Sequence, residues 1–91
     1  DYQTSAMSIN GDDAIELFEN GNVIDTFGDI NLDGTGEPWD YLDGWAKRAS
    51  GTGPDGATFD LAAWSFSGIN TLEGDTNGAC LAPFVLGSFT P

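Results

Sequence analysis

The chain has 91 residues, with 15 acidic side chains against only Lys47 and Arg48, no histidine and one cysteine, for a net charge of −13. That length allows one small domain, burying about 60–65% of its unfolded surface, and that charge repels nucleic-acid backbones and anionic lipid while favouring divalent cations or basic partners. With no histidine and a single cysteine, zinc clusters, internal disulfides and the commonest general base are excluded.

Other broad classes fall away on similar grounds. There is no run of about 20 apolar residues, so no membrane-spanning helix is expected. Disordered chains lack aromatic and β-branched residues, whereas here 40% of residues are hydrophobic and 12% aromatic. The 13 glycines suit a turn-rich β-protein. The start is not basic-then-apolar, and it reads Asp-Tyr-Gln. The expectation is a processed protein or a segment of a larger one.

Residues 1–8 are small and polar, and read as a linker or loose strand. From Ala14 to Phe18 the pattern alternates, with Ala14, Glu16 and Phe18 on one face and Ile15 and Leu17 on the other. Asn20-Gly21 is a hairpin signal because both residues tolerate positive φ. Val23–Phe27 is the return strand, with Val23, Asp25 and Phe27 on a common face, and Gly28 ends it. Residues 29–40 form a polar loop. Trp39, Tyr41, Leu42 and Trp45 make an aromatic cluster that needs burial, and Trp45–Ala49 fits a third strand. Lys47 and Arg48 there offer the sequence's only side-chain cations to nearby carboxylates. Residues 51–56 are a turn. Asp60 caps a short helical turn through Leu61-Ala62-Ala63, which delivers Trp64 and Phe66 to the core. Residues 67–79 read as loop, and Leu81–Phe89 as a last strand, at an edge because of Pro83. Cys80 reads as a buried hydrophobe, with a partner outside these residues or a reactive thiol as the alternatives.

The run Asn10-Gly11-Asp12-Asp13-Ala14-Ile15-Glu16-Leu17-Phe18, followed by Asn20-Gly21 and Val23-Ile24-Asp25-Thr26-Phe27-Gly28, resembles the lamin tail domain family, bacterial secreted type. Trp45–Arg48 is similar to that family's next strand, and Phe59–Trp64 to its late tryptophan-bearing turn. The resemblance spans roughly residues 8–72. It implies an all-β, immunoglobulin-like β-sandwich. The strands that precede the Asn-Gly-Asp-Asp-Ala motif in the family are expected to be absent here, which leaves an open sheet edge or a sandwich completed by another chain. The resemblance also implies an accessory module of secreted or surface proteins, which binds or anchors rather than catalyses. It supplies no catalytic residue.

The loop after the hairpin carries a metal-like spacing. With Asp29 as position 1 of a twelve-residue calcium loop, Asn31, Asp33, Thr35, Glu37 and Asp40 fall at positions 3, 5, 7, 9 and 12, and Gly34 at the position of the sharp turn. Alternate oxygens on a curling loop converge as Ca²⁺ requires. Asp40 departs from the usual glutamate, and a strand rather than a helix leads in. The competing reading is an acidic turn, which Asp, Asn and Gly form without any metal. Asp12, Asp13 and Asp43 are candidates for a second site. Asp12 and Asp13 as a glycosidase pair would need a cleft, and Ser or Thr nucleophiles have no base here. Residues 51–56 lack the lysine of a phosphate loop.

The functional expectation is a non-catalytic binding or attachment module, extracellular or on the cell surface. Its partner would be a protein or cell-surface component, with homo-oligomers through the open edge a further expectation and nucleic acid disfavoured by charge. The alternative is an accessory segment of a secreted hydrolase, a nuclease or phosphoesterase, whose catalytic residues lie outside this chain.

Overall fold

A computed structural model describes residues 9–91. The loose-strand reading of 1–8 falls outside them. The fold is all-β: among the described residues there are strands β1 (Ile15–Glu19), β2 (Asn22–Phe27), β3 (Ala46–Arg48) and β4 (Trp64–Phe66), with one 3₁₀ turn at Leu61–Ala63. Two antiparallel two-stranded sheets result, β1 with β2 and β3 with β4.

The first hairpin closes over Asn20-Gly21, whose φ angles of 51° and 80° are the left-handed pair that a tight two-residue turn demands. Alternation holds along β1 but breaks in β2. Leu17 pairs with Asp25 and Phe18 with Val23, so Ile24 is an extra, bulged residue. Asp25 therefore shares a face with Leu17, and Val23 with Phe18. Strict alternation had placed Val23 and Asp25 together; the bulge separates them. On the far side of β2 the backbone N–H of Gly56 donates to the Ile24 carbonyl at 3.0 Å. The Thr26 hydroxyl donates back to the Gly56 carbonyl at 2.9 Å, which satisfies a buried polar side chain.

β3 and β4 pair Ala46 with Phe66, Lys47 with Ser65 and Arg48 with Trp64. The 3₁₀ turn before β4 is capped by Asp60, whose side chain accepts from the Ala62 N–H. As the sequence suggests, this turn brings Trp64 and Phe66 against the core.

That core is built around Phe27, which is 5% exposed. Its ring meets Trp64 at 4.8 Å between centroids, and Tyr41 and Phe59 at 5.5 Å, all edge-on. Trp39 and Phe66 lie at 5.8 and 6.1 Å. Edge-to-face contacts suit the aromatic quadrupole, and they join β2 to β4. Trp39 and Ala63 are also buried, and Cys80 is a buried free thiol. Among the described residues no side chain is completely enclosed. Trp64 Nε1 is buried without a hydrogen-bond partner among the described residues, a cost set against the ring's packing.

Arg48 ties the sheets together electrostatically. Its Nη2 pairs with Asp25 Oδ1 on β2, and its Nε donates to Asp25 Oδ2 at 3.1 Å. Its Nη1 donates to Asp55 at 3.1 Å. The guanidinium also lies over Trp64, 4.8 Å from the ring centroid. Burial pushes the Asp25 carboxyl up, but the Arg48 hydrogen bonds, the N–H groups of Asp55 and Thr26 and the Arg48 charge together hold it below the ordinary value. Lys47 instead donates to Ser88 Oγ at 2.6 Å, with its ammonium about 6 Å from the Trp45 and Phe84 rings.

The last-strand reading of Leu81–Phe89 is not met: the segment is turns and irregular chain. Pro83 lacks the donor that a ladder needs. Asn77 takes over that function, accepting from the Phe84 N–H at 2.7 Å and donating to the Phe84 carbonyl at 2.9 Å. The tail still lies along β3, with Trp45 Nε1 donating to the Ala82 carbonyl at 2.7 Å and the Gly51 N–H to the Thr90 carbonyl at 2.8 Å.

Two measurements check this account. Phe27→Ala is expected to cost about 3–5 kcal/mol in urea unfolding, whereas Phe18→Ala, at a residue 56% exposed, stays within about 0.5 kcal/mol. Because Asp25 sits below its ordinary value when folded, its contribution is complete above the unfolded aspartate value of about 3.9 and is lost as pH falls through the folded one. Asp25→Asn should therefore melt lower than wild type at neutral pH and show a shallower fall in midpoint on acidification.

Candidate functional site

The hairpin register sets up the site. Ile15 pairs with Phe27, so the residues before β1 and after β2 run side by side. Between them lies an open hollow of about 640 Å³, lined by Asn10, Asp12, Asp13 and Ala14 on one side and by 29–33 on the other. Asp29, Asn31 and Asp33 of the calcium-like spacing thus meet Asp12 and Asp13, which the sequence reading assigned to a separate site. Asp43, the third member of that second group, does not line the hollow.

Each acid is already engaged in local structure. Asp29 Oδ1 accepts from the Asn31 N–H at 2.9 Å. Asp33 Oδ1 accepts from the Thr35 N–H at 3.0 Å and lies 2.8 Å from the Thr35 hydroxyl. Asp13 Oδ2 accepts from the Asn10 N–H at 3.0 Å. These are the turns that Asp makes on its own backbone. The hydrogen bonds from the Thr35 N–H and then its hydroxyl lower the Asp33 carboxyl below its ordinary value.

Thr35 connects the two sides. Its hydroxyl lies 2.9 Å from Asp12 Oδ2 as well as 2.8 Å from Asp33 Oδ1. A hydroxyl has one proton to donate, so two carboxylates share a single donor and one is left without it at any moment.

Glu37 and Asp40 do not line the hollow. Asp40 faces backbone instead, with Oδ2 accepting from the Gly36 N–H at 2.9 Å and Oδ1 from the Leu42 N–H at 3.0 Å. It closes the far end of the loop. Among the described residues no three acidic, cysteine or histidine groups are gathered tightly enough to form a ready metal shell. The loop is thus divided: residues 29–35 face residues 10–14, and 37–40 serve the turn into Tyr41.

Gly34 has a different task from the one its motif position suggests. Its N–H donates to the Asp12 carbonyl at 3.0 Å. A Cβ there would lie 2.5 Å from that carbonyl oxygen and from the Trp39 ring. The residue is glycine because the loop backbone packs directly on residue 12 and on the core tryptophan. Extending the hairpin register past Ile15 and Phe27 sets Asp13 opposite Asp29, a neighbourhood the sequence could have shown, whereas the link from Asp12 to Asp33 depends on the loop folding back through Gly34 and Thr35.

The other predicted residues are dispersed. Trp39 is core, Trp45 packs edge-on against Phe84 at 5.5 Å, and Trp64 lies under Arg48. Among the described residues no helix is long and apolar enough to cross a membrane. Comparison with protein-family models, curated proteins and solved structures gives no match.

Gly34→Ala is expected to destabilise the chain by about 1–3 kcal/mol through overpacking, read as a lower urea midpoint at unchanged slope.

Proposed function

We propose that the chain is a non-catalytic binding or attachment module of a secreted or cell-surface protein. In this reading it is an immunoglobulin-like β-sandwich of lamin-tail type, and Ca²⁺ in the hollow between 10–14 and 29–33 stiffens the 29–40 loop. The observation that carries the calcium part is the Thr35 hydroxyl flanked by Asp12 and Asp33. Two anions facing one proton repel each other, and a cation between the loop and residue 12 would relieve that repulsion. The donors available there are all oxygens, the set Ca²⁺ takes. Asp12, Asp13, Asp29, Asn31 and Asp33 would hold the ion, while Glu37 and Asp40 would remain outside as turn-closing groups. The module part is supported by the Asn-Gly-Asp-Asp-Ala hairpin, which forms with the turn that the resemblance implies, and by Phe27 joining two antiparallel sheets through Trp64.

Thermal melting in calcium, in excess chelator and in magnesium tests the metal. At a free calcium concentration 100 times the dissociation constant, binding to the folded state adds about 2.7 kcal/mol. In a domain of this size that raises the midpoint by more than about 10 °C. Magnesium, which dehydrates reluctantly and demands octahedral geometry, should give a smaller shift, and Asp33→Ala should lose the calcium response. Equal midpoints in calcium and chelator would remove the metal from this reading.

A further inference from the structure

Of the strand edges left open among the described residues, that of β1 is the longest. The outer edge of β2 is covered by the Gly56 segment, and the 82–90 tail lies beside the short β3, held by the Trp45 and Lys47 side chains. The outer edge of β1 receives no backbone hydrogen bond from any described residue outside its own hairpin. Its side chains are open as well: Leu17 is 57% and Phe18 56% exposed. Beside this edge is a second hollow of about 280 Å³, floored by Ile15, Leu17, Phe27, Tyr41, Ala46 and Trp64. Its lining comes from both sheets and from Tyr41, with Asp25 and Thr26 of β2 completing it.

The strand that borders this hollow is acidic, while the one carboxylate in the lining itself, Asp25, is already paired with Arg48. Glu16 and Glu19 lie on β1 itself. Beyond the strand the chain carries −13 overall. A second copy would bring the same net charge to the edge and be repelled. An unpaired strand edge gives main-chain affinity to any extended segment, and alternate pockets give it selectivity.

We infer that β1 is a strand-addition site for an extended, lysine- or arginine-rich segment of a partner protein, which pairs with Ile15–Glu19 and places an apolar side chain in the hollow beside Leu17. The inference rests on the binding-module reading, for which it names the partner's chemistry, and it does not depend on calcium. Main-chain bonds hold the segment, Glu16 and Glu19 on β1 attract its cations, and the hollow selects aliphatic residues at alternate positions.

The test uses the 91-residue chain and a short amidated peptide alternating lysine with valine. Two control peptides accompany it: one N-methylated at alternate backbone nitrogens, and one with glutamate in place of lysine. The expected result is saturable binding with amide shifts concentrated on Ile15–Glu19. Binding should weaken at least about tenfold with the N-methylated peptide, about 1.4 kcal/mol, and be lost with the glutamate peptide. Leu17→Arg, at an exposed position that leaves the fold intact, should weaken binding similarly. Equal affinity for the N-methylated peptide would overturn the proposal in favour of simple charge attraction, as would shifts centred elsewhere. A dimer in sedimentation that Leu17→Arg dissociates would make the occupant a second copy and overturn it too. Peptide binding at β1 with no calcium shift in melting removes only the metal, whereas a calcium shift without peptide binding removes only the strand site.

Discussion

One guanidinium joins the two sheets: Arg48 on β3 pairs with Asp25 on β2 and with Asp55 in the following loop, and its plane lies over Trp64 on β4. In a chain of net −13 such a cation gains from every carboxylate near it. The geometry is one that arginine satisfies and lysine does not. The fork meets both oxygens of Asp25 while a third nitrogen reaches Asp55, and the flat face stacks on an indole. Truncating Arg48 would leave Asp25 part-buried without its main partner, the costly way to break such a pair.

The apolar side of the fold is thin by comparison. Phe27 gathers aromatic rings from β4, from the 39–41 turn and from Phe59, yet no described side chain is completely enclosed. A small domain with this little interior depends on every large ring being placed well. The acidic loop is connected to the same centre, since Gly34 packs on Trp39 and Trp39 packs on Phe27. The site and the core are therefore mechanically continuous: what tightens the 29–40 loop presses on the ring that closes the core.

The sequence was most legible where structure is local. Asn20-Gly21, the alternation of β1, the β3 position and the Asp60 cap can each be read from neighbouring residues, and each appears. The Ile24 bulge was not legible, because it depends on what covers the far side of β2. The tail failed for a related reason: its apolar residues suggested a strand, but Pro83 and the Asn77 side chain replace the ladder. At the site, linear spacing grouped Glu37 and Asp40 with the loop acids. The folded chain instead groups Asp29, Asn31 and Asp33 with Asp12 and Asp13, because strand pairing, not loop periodicity, decides which side chains are neighbours.

The separation of contacts along the chain also bears on the order in which it can fold. The first hairpin closes over two residues and can form in about 1–10 μs. The contacts that define the rest join distant residues, Asp25 to Arg48 across 23 positions and Trp45 to Ala82 across 37. Loops of that size must close before any burial repays their entropy. The hairpin can therefore close before the core, and Leu17 and Phe18, which stay exposed in the folded chain, are then open to the surroundings throughout.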